Sequence, residues 1–302
     1  MLIKDLLGII LLASLWGPTF LFTKIIVEEI HPLTLSFLRC ALGSLSLAIV
    51  LWFKKTEMRP LLKHWKKFAI SGILGNALPF VFCSYGEVYV DSATAGIFEG
   101  TIPIFTLIFT YLFMPSQKLT RGQVYGVVLG FIGLLVIFAP GVSSSNFFTF
   151  NDELLGKVYL LSMACCFAAS FVYAKKYCAS FPPLQGVFFQ LFYSALFLLP
   201  TLAFVGNHTL LTLPSTHVVL STLWLGSIGT ASSWCLYFFL LKRVSAAEVS
   251  LATYLCPIFA IALGMAFLGE EPSNNLYFGT LLIILALGFA TGKVKKEATS
   301  TL

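Results

Sequence analysis

The sequence predicts an all-α membrane protein whose ten transmembrane helices form two inverted-topology repeats of five helices each. Three observations support this prediction. Apolar residues make up 58% of the 302 positions, charged residues make up only 11%, and the two halves of the chain match each other. An ordinary soluble domain carries roughly 25% charged residues, so this chain has too few to cover a water-facing surface. The composition excludes a cytosolic enzyme, a disordered chain and a secreted disulfide scaffold.

The apolar runs divide the chain into ten segments of membrane-spanning length. A span takes about 20 residues, so the chain has room for about ten spans with short connections. We predict spans at 6–26, 33–53, 68–86, 92–112, 122–139, 154–175, 184–204, 218–241, 246–268 and 276–292. The N-terminal run lacks the small-residue cleavage site of a signal peptide, so we interpret it as the first span.

Basic and acidic residues alternate from one connection to the next. Of the 19 lysines and arginines, 16 lie at the two termini and in the connections at 54–67, 118–121, 175–176 and 242–243. Acidic residues mark the other connections, at 28–29, 87–91, 152–153 and 270–271. Basic connections stay on the cytoplasmic side. The alternation therefore predicts a multi-pass protein of the bacterial inner membrane with both termini in the cytoplasm, and it explains the basic connections without a nucleic-acid partner.

The second half of the chain repeats the first at offsets of 151 and 154 residues. The matched pairs are Trp16 with Phe167, Phe20 with Phe171, Lys24 with Lys175, Gly72 with Gly226, Asn76 with Thr230 and Pro103 with Pro257. Because each half has an odd number of spans, the halves enter the membrane in opposite senses. We predict a first repeat at 1–140, a periplasmic linker at 141–153, a second repeat at 154–292 and a cytoplasmic tail at 293–302. Inverted repeats are typical of secondary transporters that work by alternating access.

The same residues resemble those of the drug/metabolite transporter superfamily, in its ten-helix form with two EamA domains. The matching residues in the first repeat are Trp16, Gly17, Phe20, Lys24, Pro32, Phe37, Arg39, Ser92, Ala93, Thr94, Ala95 and Pro103. Those in the second are Ser245, Ala246, Ala247, Glu248, Pro257, Gly269, Glu270 and Gly279. The resemblance extends from 6 to 292 and implies the transport of amino acids, nucleotide-type metabolites or drugs. The chain departs from the family pattern at Glu99, and its second repeat has Gln190 at the position of Arg39.

Small and polar residues form stripes along one face of several spans, which is typical of helices that pack closely or line a water-filled path. The stripes predict a cavity lined by spans one, three, four, six, eight and nine. The residues predicted to bind substrate are Glu99, Asn76, Trp16, Tyr85, Thr230, Trp234, Tyr237, Thr253 and Tyr254. The alternative is that these stripes are packing surfaces only.

Glu99 is the ionisable residue predicted deepest in a span. A charge near the bilayer centre costs about 2.5–3.5 kcal/mol, so we predict that Glu99 binds a cationic group of the substrate or couples transport to protons. The alternative is a structural pair with Arg39 or Lys24. We interpret Arg39, Pro103 and Pro257 as structural residues: an anchor in span two and two helix kinks.

Several other functions lack sequence support. No Walker motif, catalytic constellation or metal-ligand spacing appears, so we expect no enzyme activity, no cofactor and no metal. Few basic residues lie in the predicted lining, which argues against anionic substrates. Gly126 and Gly130 form a G-x-x-x-G pattern that predicts a homodimer contact.

The sequence thus predicts a secondary-active transporter of an amino acid or another zwitterionic or cationic metabolite, such as S-adenosylmethionine. The alternatives are an exporter of lipophilic cations or drugs, and, from another class, an intramembrane enzyme or a membrane scaffold.

Overall fold

The computed structural model describes residues 2–90, 92–115, 120–138, 152–205, 214–259 and 274–291. These residues form helices and short connections. The membrane helices are α1 (Ile3–Val27), α2 (Pro32–Phe53), α3 (Trp65–Tyr89), α4 (Ser92–Glu99 and Ile102–Phe113), α5 (Arg121–Phe138), α6 (Asp152–Tyr177), α7 (Pro183–Phe204), α8 (Thr216–Leu241), α9 (Ala246–Phe259) and α10 (Asn274–Thr291). Six of them are long and apolar enough to cross a membrane, and the other four are shorter apolar helices. The predicted linker and the C-terminal tail lie outside the described residues, apart from 152–153.

The apolar surface of the helices matches a lipid environment. Large side chains such as Trp52, Phe53, Tyr111, Phe204 and Phe278 are more than half exposed. Such a surface would be unfavourable in water, because moving one CH₂ group from water to an apolar environment is favourable by about 0.8 kcal/mol. The chain therefore presents apolar residues on both faces of its helices, one toward the protein and one toward lipid.

Two membrane helices contain a π-helical turn at repeat-related positions. The turn in α3 covers Ile73–Ala77, and the turn in α8 covers Ser227–Ser232, 154 residues later. A π-turn leaves one residue out of the regular α-helical hydrogen-bond pattern and often marks a functional segment. The inverted repeat is thus present in backbone geometry as well as in sequence.

The two repeats pack together through these π-turns. In the second repeat, Gly226 allows the backbone of α8 to approach α2, because a Cβ atom there would lie 2.7 Å from the Cβ of Leu42. In the first repeat, Gly72 allows α3 to approach α7, because a Cβ atom would lie 2.4 Å from the carbonyl oxygen of Gln190. Each second helix therefore packs on the third helix of the other repeat.

Repeat-related lysines bind the carboxyl-terminal ends of the third helices. The Lys24 Nζ donates to the carbonyl oxygens of Glu87 at 2.7 Å and Val90 at 3.1 Å. The Lys175 Nζ donates to the carbonyl oxygens of Leu241 and Val244, at 2.5 and 2.6 Å. Helix carboxyl ends carry unpaired carbonyl groups and partial negative charge. These lysines therefore hold each repeat together.

The helices α5 and α10 form the most extensive helix pair in the structure. A Cβ atom at Gly133 would lie 2.9 Å from the carbonyl oxygen of Gly279. Gly130 packs on the ring of Tyr254 in the same chain, and Gly126 is also buried. The two glycines predicted at a homodimer contact therefore pack within one chain, and the homodimer itself stays a prediction.

Candidate functional site

A cavity lies between the two repeats, beside the break in α4. Its volume is about 30 Å³, which is room for about two water molecules. Its lining consists of Trp16, Thr19, Phe20, Arg39, Phe80, Cys83, Glu99, Ile102, Met163, Phe167, Phe171, Trp234 and Thr253. These residues come from α1, α3, α4, α6, α8 and α9, the helices that the stripes predict, and also from α2. In this conformation the cavity is too small for an organic metabolite.

Arg39 supplies a positive charge to the cavity. Its side chain is 7% exposed, and its Nε donates a 2.7 Å hydrogen bond to Oγ1 of Thr230. The guanidinium carbon lies 3.8 Å from the ring centroid of Phe80, a cation–π contact. Among the described residues, no carboxylate lies within 4.0 Å of the Arg39 guanidinium. Arg39 is therefore held in place by neutral groups, with its charge directed to the cavity.

Glu99 supplies a carboxyl group to the same cavity. It ends the first segment of α4, and Gly100 and Thr101 interrupt the helix before Ile102. Its side chain is 6% exposed, and the thiol of Cys256 lies beside its carboxyl. Its Oε2 is buried without a hydrogen-bond partner among the described residues. The free oxygen can accept a hydrogen bond from a ligand or carry a proton.

Aromatic rings from both repeats form the wall of the cavity on the side of α6 and α8. Trp16 stacks on Phe171 with ring centroids 6.1 Å apart and planes 19° apart, and it lies 6.1 Å from Trp234. Its Nε1 donates to Oγ of Ser233 at 3.1 Å, which fixes the indole. Phe167 and Trp234 lie 6.3 Å apart. Such a wall can receive an apolar or aromatic group.

The structure separates the predicted binding residues into two sets. Trp16, Glu99, Trp234 and Thr253 line the cavity. The others lie behind the lining or away from it. Asn76 is fully buried on the π-turn of α3 with both amide atoms unpartnered among the described residues.

The remaining predicted residues have protein partners. Thr230 holds Arg39, and Tyr237 packs behind Phe171 with ring centroids 4.8 Å apart. Tyr85 stacks on Tyr159 near the end of α3. The hydroxyl of Tyr254 donates to the carbonyl oxygen of Val127 at 2.7 Å.

Pro103 begins a helix segment beside the site, and Pro257 lies within one. Pro103 lies in the first turn of the second segment of α4, where its missing N–H group costs no hydrogen bond. Pro257 is buried in α9. The carbonyl oxygen of Cys256, the residue before it, lies 2.8 Å from a Cβ atom built at Gly17. Gly17 therefore allows α1 and α9 to pack closely beside the cavity.

Sequence reasoning did not identify Cys83, Phe80, Met163 and Thr19 as binding residues. The position of Cys83 on the polar face of its span is the one signal that could have identified it. The sequence also does not place Arg39 at the cavity, because a helix of nearly uniform apolarity does not reveal which side faces its neighbours. The cation–π contact with Phe80 is the feature that fixes the direction of the guanidinium.

Comparison with known proteins agrees with this architecture. The model of the EamA-like transporter family matches residues 3–139 and again 154–292. "Uncharacterized transporter YoaV" of Bacillus subtilis is 26% identical over 93% of this chain and 94% of its own length. "Protein PagO" of Salmonella typhimurium is 28% identical over 92% of this chain and 88% of its own. "Uncharacterized inner membrane transporter YedA" of Escherichia coli K12 is 26% identical over 92% and 87%.

A solved crystal structure has the same fold. It superposes with a TM-score of 0.78 at 19% sequence identity, over 95% of this chain and 98% of the other. The predicted fold of two inverted five-helix repeats is confirmed by this likeness and by the twofold family match. The chain is a multi-pass membrane protein and belongs to the EamA-like transporter family.

Proposed function

We propose that this protein is a secondary-active transporter of a small zwitterionic metabolite that resembles an amino acid. In this proposal the substrate carboxylate binds Arg39, the ammonium group binds Glu99, and an apolar or aromatic group packs on Trp16, Phe171 and Trp234. The observation that supports it most directly is the presence of both charges on one small cavity. Relatives named as transporters support the general class.

Energetics favour a zwitterion over either single charge. Burying one ion in the bilayer costs about 2.5–3.5 kcal/mol even on the lenient insertion scale. Arg39 and Glu99 do not offset this cost by a direct ion pair, since none within 4.0 Å joins them. A ligand with one group of each sign neutralises both residues. An amine or lipophilic cation would satisfy Glu99 but would meet repulsion from Arg39, which disfavours the exporter alternative.

Alternating access requires that the closed cavity open to each side in turn. The interruption of α4 after Glu99 and the paired π-turns of α3 and α8 are positions where helices can bend. The interruption of α4 adjoins the cavity at Glu99 and Ile102. The π-turns precede the lining residues Phe80 and Trp234 in the same helices, so bending at these positions would change the cavity. We place both termini and the basic connections on the cytoplasmic side of a bacterial inner membrane, following the distribution of lysine and arginine.

The test is an exchange assay in proteoliposomes with three related compounds. L-Phenylalanine carries both charges, phenethylamine lacks the carboxylate, and 3-phenylpropanoate lacks the ammonium group. The twenty standard L-amino acids are assayed in parallel, so that the size of the apolar group is varied. We expect exchange of at least one amino acid and little exchange of the amine or the acid.

Two variants test whether Arg39 and Glu99 bind the charged groups of the substrate. Arg39→Gln and Glu99→Gln should each raise the substrate KM by about 30-fold or more, since truncating a partner of a buried charge pair costs about 2 kcal/mol or more. Arg59→Gln and Glu57→Gln, on exposed positions, are the matched controls. Efficient transport of phenethylamine by the unmodified protein would support the cation exporter instead, and failure to exchange any of the amino acids would refute the proposal.

A further inference from the structure

A second buried carboxyl group, that of Glu87, lies behind the cavity wall. The sequence places Glu87 in an acidic connection, but α3 continues to Tyr89 and packs closely on α6 at Gly86, so Glu87 is 0% exposed. Its Oε1 accepts a 3.3 Å hydrogen bond from Sγ of Cys83. Its Oε2 has no partner among the described residues. The transport proposal above makes no use of this group.

Glu87 faces several charged groups but forms an ion pair with none of them in the described part of the chain. Lys24 from α1 lies near, but its Nζ binds the backbone carbonyl of Glu87 and not the carboxylate. Arg39 from α2 and Glu99 from α4 also act on it electrostatically. The other titratable groups on or against this end of α3 include Cys40, Cys83, Tyr85, Tyr89, Glu153, Lys157, Tyr159 and His31, whose ring centroid lies 5.9 Å from that of Tyr85. Of these, Glu153 and Lys157 pair with each other at 2.5 Å.

Cys83 connects Glu87 to the substrate site. Its thiol donates to the Glu87 carboxylate, and the same residue lines the cavity together with Arg39 and Glu99. The Glu87 carboxyl is therefore separated from the cavity by one side chain. Its charge interacts with the Arg39 guanidinium across a region of low dielectric constant, where such interactions are stronger than in water.

We propose that Glu87 is a proton-binding site linked to substrate binding through Arg39; this rests on the proposed function. In the empty protein the positive charge of Arg39 favours the ionised form of Glu87 and partly offsets the cost of burying that charge. When a substrate carboxylate binds Arg39, that support is withdrawn, and Glu87 takes one proton from water onto Oε2. The proton leaves when the substrate leaves. Transport of one zwitterion is thereby coupled to the movement of one proton, while Glu99 holds the ammonium group.

Removal of the Arg39 charge tests this link without any ligand. Arg39→Gln imitates the neutralised state, so in infrared spectra recorded over a range of pH the carbonyl stretch of a protonated carboxyl should persist to higher pH than in the unmodified protein. This shift should remain in Arg39→Gln/Glu99→Gln and be absent from Arg39→Gln/Glu87→Gln. An unshifted band in the single variant, or a shift that disappears only with Glu99, would overturn the proposal. Size-exclusion chromatography verifies that each variant is folded.

Calorimetry provides a second measurement on proteins that retain Arg39. L-Phenylalanine, or the amino acid with the fastest exchange in the panel, is titrated in phosphate and in Tris, which differ in ionisation enthalpy. At a pH where the carbonyl band of Glu87 is absent from the unmodified protein, that protein should take up about one proton per bound amino acid, and Glu87→Gln should take up none while still binding. Glu57→Gln is the control and should take up a proton. Equal uptake by Glu87→Gln contradicts the inference but leaves the proposed function intact, whereas absence of any amino-acid binding contradicts the proposed function.

Discussion

Arg39 donates its 2.7 Å hydrogen bond to Thr230 across the boundary between the repeats, from α2 of the first to the π-turn of the second. At the repeat-related position, Gln190 of α7 donates a 2.6 Å bond to Oγ of Ser71, just before the π-turn of α3. The two halves thus keep the same interlocked packing while only one carries a charge. This asymmetry places a single positive group at a site formed by two similar halves.

Thr230→Val should weaken substrate binding while preserving the fold, because valine keeps the shape but cannot accept the hydrogen bond from Arg39. A hydrogen bond to a charged group contributes about 1.5–3 kcal/mol, so we expect KM to rise about tenfold or more in the exchange assay. Thr222→Val on the same helix is the matched control, since within the described part of the chain Oγ1 of Thr222 bonds only to its own helix, at Val218. If the two variants have equal KM values, the hydrogen bond from Arg39 to Thr230 does not contribute to substrate binding.

Polar contacts join the two repeats on both membrane faces, and each should restrain opening on its own face. On one face, the Arg243 Nε lies 2.5 Å from the Asp5 carboxylate. On the other, the carboxylate of Glu29 accepts hydrogen bonds from the backbone N–H and hydroxyl of Ser215, with His217 at 3.7 Å. We expect Asp5→Asn and Glu29→Gln to favour opening toward opposite sides.

Modification of the native cavity cysteine Cys83 measures this effect. A small charged thiol reagent added on the Asp5 side should react with Cys83 several-fold faster in Asp5→Asn than in the unmodified protein. The same reagent added on the other side should react faster in Glu29→Gln, and Glu57→Gln should react at the unmodified rate from either side.

The pH provides a second test of the Glu29 contact. Hydrogen bonds from Ser215 lower the pKa of Glu29. The contact therefore persists above that pKa and is lost as the pH falls through it, so acid should imitate Glu29→Gln. Identical reaction rates in both variants would mean that these contacts do not restrain opening.

The sequence predicted the helices and their symmetry better than the direction of individual side chains. Composition and the alternation of charges are global properties, so they suffice for ten spans and two inverted repeats. The ends of the spans are predicted less accurately. Because Glu87 is polar, the third span is predicted to end at 86, yet Glu87 lies in the last turn of α3. Its burial depends on α6, which packs on Gly86, and no local pattern reveals that neighbour.

Lys24 and Lys175 illustrate the same limit. Lysines at the ends of spans commonly extend their side chains to the membrane interface. In the structure they instead donate to the carbonyl oxygens that end α3 and α8. These acceptors lie more than 60 residues away in the chain, so only the folded repeat brings them together. Arg39 faces the cavity for a similar reason, because its partners Phe80 and Thr230 belong to other helices.

The orientation of the protein can be tested with single cysteines on exposed connections. Glu28→Cys, between α1 and α2, should react with an impermeant maleimide in intact bacterial cells. Glu57→Cys, between α2 and α3, should react only after the membrane is permeabilised. The unmodified protein is the control and should stay unlabelled, because its seven cysteines are buried or half-buried in membrane helices. Labelling of Glu57→Cys in intact cells would contradict cytoplasmic termini.

Gly72→Ala should destabilise the protein through the contact between α3 and α7. An added Cβ atom would lie 2.4 Å from the Gln190 carbonyl oxygen, and because that atom belongs to the backbone, the two helices must move apart. Overpacking of this kind costs about 1–3 kcal/mol, which we expect as a lower midpoint in thermal unfolding followed by size-exclusion chromatography.

Gly186→Ala on α7 is the matched control. Among the described residues its added Cβ atom would meet only Phe68, at 3.6 Å, an ordinary contact. Alanine also favours helix by up to about 1 kcal/mol over glycine. We therefore expect an unchanged or slightly higher midpoint. Gly226→Ala should behave like Gly72→Ala, because the repeat-related contact with Leu42 lies at 2.7 Å. If Gly72→Ala and Gly226→Ala have the same unfolding midpoint as Gly186→Ala, the close approach of each second helix to the third helix of the other repeat does not stabilise the contact between the repeats.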